Sequence, residues 1–592
     1  MTYQAPVEEV GFYIRNCTAA IAPTSGSSSL DGETIMAVLT EAGAFAEEVL
    51  LPLDKRLDRQ GVSLDGMTVR TARGHREAYA TFREGGWLGL SAPVDYGGQA
   101  LPHTLTAACQ EFWHSGSLAF AMGNLLTVGA IEALHRHGKS VLKDIYLPKL
   151  VSGEWTATMA LTEAGAGSDL SAIRTRAEPT DDARFLIRGA KIFISYGEHD
   201  LAENIVHLVL ARLPDAPVGS KGLSLFLVPK LIVAADGGVT ANDVRCTGIE
   251  EKLGQHGSPT CSLVFGDDGG AYGWMVGEPN RGLAAMFTMM NSARLAVAMQ
   301  GVAVAERATQ VSAAFARERL QGMDPHTGQG IPISNYQDVR RMLMTMRATT
   351  TAARFLALST ADAIDRAAAA ASKAERKAAK FEADIMTPIA KSYCTEVGIE
   401  AANTAIQIHG GMGYVEETGV AQLWRDARVT SIYEGTNGIQ AIDLLSRKLA
   451  GEGQRHFLGL IDSCERSARS LAGFKLAAEV STQLVKSLGL LRARLVDLTG
   501  MLDQSPQEAL SAATAFLKLA ALSIGGSLIA RAMMSCDETA LRPKLEEALV
   551  AHARFVLPET MGVSALIEAA SVYARQSGGD GTPIETVARV AP

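Results

Sequence analysis

The chain has 592 residues, of which 47% are hydrophobic and 20% charged, with mean hydropathy near zero, a net charge of −9 and a pI of about 5.8. At ~150 residues per domain this predicts about four packed units, large enough together to enclose a cofactor. The acidic balance argues against a nucleic-acid partner, and seven dispersed cysteines without a C-x-x-C argue against disulfides or a zinc site.

The first residues carry acidic side chains and lack the basic-then-apolar order of a signal peptide, so a reduced, cytoplasmic protein is expected. Residues 1–35 read as an extension. Residues 36–155 read as a helical domain, with apolar-periodic runs at 33–50 and 119–137 and a Gly/Pro-rich loop at 86–102. Over 156–275 the texture changes to short β-rich runs (185–187, 191–195, 205–211, 223–228, 261–265), which predicts a small antiparallel barrel or sandwich. Long amphipathic helices return over 276–450, at 295–319 and 339–371, as in a bundle. The Ala/Lys run at 367–380 favours an exposed helix end or a helical connection. Residues 451–592 form a further helical unit, punctuated by turns at 500–505 and at Gly525. Its most apolar stretch, 519–530, is too short to span a membrane, so no membrane span is expected. The fold class is therefore mainly α with a central β domain.

Four segments suggest chemistry. In MALTEAGAGSDL (159–170), Gly165 and Gly167 permit close backbone approach to a ligand, and Thr162 and Ser168 offer hydroxyls; a plain turn is the competing reading. The segment lacks the third glycine of a dinucleotide fingerprint. KIFIS (191–195) alternates as a strand, placing Lys191, Phe193 and Ser195 on one face, suited either to a planar ring or to ordinary packing. In QIHGGMGYVEE (407–417) the glycines either admit a ligand or end a helix. In RDARVTSIYEGTNGIQ (425–440), Glu434 sits among Val429, Ile432 and Tyr433. A carboxylate so lodged has a raised pKa and suits a base near neutrality; a solvated charge before a helix is the alternative. His135 and His137 lie on different faces of one helix, and no metal site is expected.

These segments, in this order, resemble the acyl-CoA dehydrogenase family over residues 80–450, and WLGLSAPVDYGGQ (87–99) resembles its active-site approach loop. The resemblance implies an N-terminal helical domain, a β-barrel and a four-helix bundle, here with an extra C-terminal helical domain. It implies FAD between β domain and bundle, bound by Met159, Leu161, Thr162, Gly167, Ser168, Phe193 and Ser195, the last two standing where the family has Trp and Thr. Arg319 and Gln321, with Gln407, Gly410 and Gly411, match contacts to the neighbouring subunit's FAD. Thr436 and Gly438 match positions lining FAD, although relatives commonly have Gln at 438.

Glu434 matches the catalytic base. The residue before Arg294, where some relatives carry their base, is Ala293 here. Ser168, Arg294, Tyr433 and Gly435 match substrate contacts. The implied reaction is α,β-dehydrogenation of an acyl-CoA thioester, with electrons passed to an electron-transfer flavoprotein. The chain length and the insertion at 320–335 resemble the long bacterial branch, whose members act on 3-(methylthio)propanoyl-CoA or on fatty acyl-CoAs. In that branch the added domain replaces the second dimer of a tetramer, which implies a homodimer sharing its FAD sites. An oxygen-using acyl-CoA oxidase and a non-catalytic flavin-binding relative remain as alternatives. A DNA-associated flavoprotein is disfavoured, since residues 451–592 hold 14 Lys and Arg against 15 Asp and Glu.

Overall fold

A computed structural model describes residues 3–19, 30–233, 238–537 and 540–576; the rest of the expected N-terminal extension and C-terminal unit lies outside the described residues. The chain begins with helices α1 (Val7–Cys17), α2 (Gly32–Phe45) and α3 (Leu51–Gln60), the last two joined by a π-helical turn. A hairpin of β1 (Ser63–Asp65) and β2 (Thr68–Arg70) follows, then α4 (His75–Glu84), α5 (His103–Gly116), α6 (Leu118–His137) and α7 (Ser140–Val151). Helix starts follow local chemistry: the Asp31 carboxylate accepts from Thr34 N at 2.6 Å to cap α2. Helix α5 has no cap of its own, and Asp365 of a later helix supplies one, accepting from His103 N at 2.8 Å and Thr104 N at 2.9 Å.

The central sheet contains β3 (Trp155–Ala160), β4 (Arg176–Pro179), β5 (Phe185–Ser195), β6 (Asn204–Arg212) and β7 (Leu223–Pro229). A small pair, β8 (Leu231–Val233) and β9 (Val239–Ala241), precedes β10 (Val244–Ile249), β11 (Thr260–Phe265) and β12 (Ala271–Val276). Strand β5 pairs with β12, β12 with β7, β7 with β6, and β4 with both β6 and β5, so the sheet closes on itself. Closure pairs β5, β12, β7, β6 and β4 in a ring, and β3 and β10 remain as the outer strands. Two expectations are corrected. The sheet is not wholly antiparallel, because β3 runs parallel to β6 from Trp155↔Asn204 to Ala160↔Val209. The runs at 185–187 and 191–195 form one strand, bulged where Ile192 and Phe193 oppose the single residue between Cys261 and Leu263. The bulge breaks the alternation expected of KIFIS: Lys191 is fully buried and Phe193 is 58% exposed.

The bundle consists of α8 (Gly282–Glu318), a hairpin of β13 (Leu320–Met323) and β14 (Gly330–Pro332), then α9 (Gln337–Ala369), α10 (Lys373–His409), α11 (Val420–Ala427) and α12 (Asn437–Asp443). The Ala/Lys run straddles the break between α9 and α10, where Ser372 and Glu375 form a reciprocal capping box. Helix α9 runs antiparallel to α8, with Glu306 against Arg354 and Thr309 against Thr350. Helices α8 and α10 run parallel, Gly301 lying against Cys394 and Gly398, and the Phe315 and His409 rings stacking at 4.2 Å. A Cβ at Gly301 would stand 2.1 Å from the Cys394 carbonyl oxygen, so only glycine permits this approach.

Helices α13 (Glu452–Arg469), α14 (Ala477–Met501), α15 (Pro506–Ser511), α16 (Ala513–Met534), α17 (Arg542–Ala551) and α18 (Glu559–Gln576) form the added unit, which packs on α9 and α10. Gly525 is no turn: it is buried inside α16, where its Cβ position faces Ala352 of α9 at 3.1 Å. By length and composition α6 and α16 are long and apolar enough to cross a membrane, but 78% and 83% of their most apolar windows are buried within the protein.

One buried charge cluster joins the N-terminal segment to the bundle. Arg354, with 0% exposure, pairs with Glu9 at 2.7 Å, Glu111 at 2.6 Å and Glu306 at 2.6 Å. Removing one partner of a buried pair leaves charge without compensation and typically costs ~3–5 kcal/mol. We expect Arg354→Leu to lower unfolding stability by at least about 3 kcal/mol in urea titrations, whereas Glu9→Gln, which keeps two carboxylates on the arginine, costs less.

Candidate active site

The segment between α11 and α12 carries an unusual backbone. Glu434 has φ +56° and Gly435 φ +83°, two successive left-handed residues that reverse the chain before α12. For a non-glycine residue this conformation costs on the order of 1–3 kcal/mol and persists only where its surroundings enforce it. They do so here. Gln440 Nε2 donates to the Glu434 carbonyl at 3.1 Å, and Arg294 Nε donates to the same oxygen at 3.4 Å. Lys391 Nζ donates to the Gly435 carbonyl at 2.9 Å. Thr436 caps α12, accepting from Ile439 N at 3.2 Å. The Glu434 N–H meets no acceptor among the described residues.

Burial pushes the Glu434 carboxyl up to about 7, against the pull of Arg294 and Lys391. Burial likewise brings Lys391 down to about 7, against the pull of Glu434. Glu434 is half-buried rather than a fully solvated end charge, and desolvation raises its carboxyl above the ordinary range. Beside it, the Tyr433 hydroxyl donates to Gln300 Oε1, and Gln300 Nε2 reaches Met122 Sδ at 3.6 Å, which links this turn to α8 and α6.

A polar junction docks the turn on the rest of the molecule. Gln255, in the β10–β11 connection, donates its N–H to Asp426 Oδ1 and its side chain to the Asp426 carbonyl at 3.0 Å. Arg425 makes a two-pronged contact with Asp58 at 2.9 and 2.7 Å, and Arg307 pairs with Asp54 at 2.8 Å. Burial, with Asp54 nearby, pushes Asp426 up to about 7.

The 159–170 segment leaves β3 as a tight loop rather than a helix–strand turn. Its Glu163 accepts from Lys191 Nζ at 2.9 Å, Thr175 N at 3.0 Å and Arg174 N at 2.7 Å, and Thr162 O accepts from Ile192 N at 2.9 Å. Although burial works the other way, Lys191 and Thr175 hold the Glu163 carboxyl below its ordinary range. The loop is thus locked to the bulge of β5. Gly167 and Ser168 lie exposed on it, and their N–H groups meet no acceptor among the described residues. Met159, Leu161 and Tyr433 belong to one apolar cluster, which brings this loop to the same side as the Glu434 turn. Phe193, with φ +59°, stands exposed next to Ser195.

The site residues read from the sequence fall into separate groups. Glu434, Arg294, Tyr433, Gly435 and Thr436 surround the reversed turn, and Gly438 follows in the first turn of α12. Arg319 ends α8, 25 residues beyond Arg294, so it lies roughly 37 Å away at 1.5 Å per residue. Gln407, Gly410 and Gly411 lie at that same far end, where α10 terminates with Gly410 at φ +59°. All four are exposed, as is Gln321, and beside them Met323 (69%) and Tyr414 (87%) present apolar surface. One chain therefore does not bring the two sets together. The sequence reading missed Lys391, Gln440, Gln255 and Gln300. Lys391 had a signal, a lone cation in the apolar run Ile389–Cys394; the glutamines had none.

Three consecutive segments match known domain families: residues 33–154 the acyl-CoA dehydrogenase N-terminal domain, 158–267 its middle domain and 280–449 its C-terminal domain. The chain is 41% identical to the 3-methylmercaptopropionyl-CoA dehydrogenase of Ruegeria pomeroyi, over 97% of this chain and 98% of that protein. Its fold matches Caenorhabditis elegans ACDH-11 in complex with C11-CoA (TM-score 0.78, 21% identity, 94% of this chain and 92% of that one). It also matches an acyl-CoA dehydrogenase complexed with FAD from Bacillus anthracis (TM-score 0.74, 20% identity, 99% and 94%).

The electrostatics of the turn can be measured directly. We expect an infrared carboxyl band, absent from Glu434→Gln, to be half-developed near pH 7, whereas an exposed glutamate would titrate near ~4.3.

Proposed function

The chain belongs to the acyl-CoA dehydrogenase family, and on that premise we propose that 3-(methylthio)propanoyl-CoA is its substrate, Glu434 its base and electron-transfer flavoprotein its electron acceptor. The reaction is the FAD-dependent α,β-dehydrogenation of an acyl-CoA thioester. The observation that carries the proposed residue roles is Glu434 itself, a half-buried carboxyl on a left-handed turn that Arg294, Lys391 and Gln440 hold by its backbone, with burial raising its pKa.

The residues present fit FAD. Phe193 offers an exposed ring on a locked bulge, Gly167 and Ser168 offer free N–H donors, and a Cβ at Gly165 would meet nothing within 4 Å. The 159–168 loop, Phe193, Ser195, Thr436 and Gly438 would hold the ring end. Arg319, Gln321, Gln407, Gly410 and Gly411 of a second copy would hold the ADP end. This division explains why one chain keeps the two sets roughly 37 Å apart, and it supports a homodimer with shared sites. When bound, FAD supplies the acceptor for the β-hydride.

The chain's own residues handle the proton. An α-proton is too weakly acidic for a carboxylate unless the thioester oxygen is held by preorganised donors. The unpaired Glu434 N–H is such a donor, and the turn fixes its direction. The Glu434 carboxylate then accepts the α-proton on an oxygen, and burial gives it the basicity for that transfer. Arg294 and Lys391 keep the ionised form accessible before proton transfer.

A short acyl group is supported by the whole-length likeness to the Ruegeria protein and by the Tyr433–Gln300–Met122 link, which fills the core beside the base. In anaerobic titrations the flavin band should bleach with 3-(methylthio)propanoyl-CoA and butanoyl-CoA in preference to palmitoyl-CoA. Glu434→Gln should retain flavin and lose about 10²–10⁴ in reduction rate. Gln300→Ala, which frees Tyr433, should raise kcat/KM for octanoyl-CoA relative to the short thioesters by roughly tenfold, the scale of one or two methylenes in an apolar pocket. Equal bleaching by all chain lengths would overturn the short-acyl reading. Rapid reoxidation by O2 without electron-transfer flavoprotein would overturn the acceptor.

A further inference from the structure

Lys391 is fully buried in α10, between Ala390 and Ser392, which are themselves buried. Burying an ammonium is costly, and here it lies at the amino end of α12, whose exposed N–H groups disfavour a positive charge. Its contacts show what offsets this. One hydrogen bond goes to the Gly435 carbonyl at 2.9 Å, in the reversed turn, and another to Asn437 Oδ1 at 3.0 Å. Asn437 is in turn fixed by its amide, which donates to Ser392 O at 3.3 Å, Thr395 Oγ1 at 3.2 Å and Glu396 Oε1 at 3.2 Å. The lysine is therefore clamped between helix α10 and the backbone immediately after Glu434.

Two cations bond the backbone of the Glu434 turn and favour its ionised form, Arg294 from α8 and Lys391 from α10. Arg294 is shared: Asp443 of α12 lies 3.8 Å from it, and Arg447 pairs with that same aspartate. Glu396 of α10 lies behind Asn437. Among the described residues the bonds of Lys391 go to a carbonyl and an amide oxygen and not to a carboxylate. Its charge is directed at the Glu434 turn, and its donors hold the carbonyl that keeps the turn left-handed.

We propose that Lys391 is a positioning residue for the base, holding the Gly435 carbonyl through its clamped ammonium and placing a positive charge beside the turn that carries Glu434. This rests on the reading of Glu434 as the base. Neutralising Lys391 leaves burial opposed by Arg294 alone, so Glu434 should hold its proton to higher pH.

The test compares holoenzyme Lys391→Met, which removes donor and charge, with Lys391→Gln, which keeps a donor and removes the charge. Flavin content and thermal unfolding report folding, flavin reduction is followed against pH, and the Glu434 carboxyl band is titrated by infrared. Lys391→Met should lower kcat by about 10–100-fold, the scale of a small misplacement of a reacting group, with KM within about threefold. Its acid limb and carboxyl band should both move up by about one pH unit, a tenfold change in proton affinity. Lys391→Gln should recover much of kcat at high pH while its acid limb stays displaced. An unmoved acid limb and carboxyl band in Lys391→Met, or in Lys391→Gln if the methionine variant does not fold, would reduce Lys391 to a structural core residue. Failure of the premise looks different: Glu434→Gln would then reduce flavin at the native rate.

Discussion

Burial of the Glu434 carboxyl, opposed by the Arg294 and Lys391 cations, is the interaction on which the site depends. Desolvation makes the carboxylate basic but also threatens to keep it protonated at every useful pH. Two cations on different helices hold it between those limits, and both also bond the backbone of the turn that carries it. Charge and conformation are thereby supplied by the same side chains. A glutamate on a relaxed loop would have ordinary acidity and no fixed N–H beside it.

That arrangement requires α8 and α10 to be held close and in register, because each contributes one cation. The glycine contact at Gly301 and Gly398 provides the closeness, with backbone against backbone and no intervening side chain. Antiparallel α9 and the added helices cover the outer side, with α16 seated on α9 through Gly525 and Ala352. On the other side, the junction of Asp54, Asp58, Arg307, Arg425, Asp426 and Gln255 ties the turn to the first helical domain and the barrel. Three structural units thus converge on one reversed turn. The turn is held from three sides by hydrogen bonds and ion pairs that reach it from different units.

Much of this was legible from the chain alone, for identifiable reasons. Helices announce themselves through 3.6-residue periodicity, so the apolar runs at 119–137 and 339–371 match α6 and α9 to within a turn, whereas α8 begins at Gly282, well before the run at 295. Glu434 stood out because an acidic residue among Val429, Ile432 and Tyr433 conflicts with its surroundings. What periodicity does not encode is pairing. The parallel neighbours β3 and β6 pair residues 49 apart, from Trp155↔Asn204 to Ala160↔Val209, and nothing in either strand specifies direction. The bulge that exposes Phe193 depends on register with Cys261 and Leu263, so alternation within KIFIS misplaced the ring. Gly525 reads locally as a breaker, yet its role is set by Ala352, far away in sequence. A single lysine in an apolar helix such as Lys391 looks locally like an exception, whereas its meaning lies in a carbonyl 44 residues later.

The Arg354 cluster also bears on how the protein is made. Its carboxylates, Glu9, Glu111 and Glu306, all precede the arginine in the chain, and Glu9 does so by 345 residues. At ribosomal rates of ~5–20 residues per second, Glu9 emerges roughly 17–70 s before the group that neutralises it. Asp54 waits similarly for Arg307, 253 residues later. Until then these acids have no arginine to meet and stay in water, where a carboxylate is cheap to keep. The ion cluster that joins the N-terminal segment to the bundle can therefore form only once helix α9 has been made, late in synthesis rather than early.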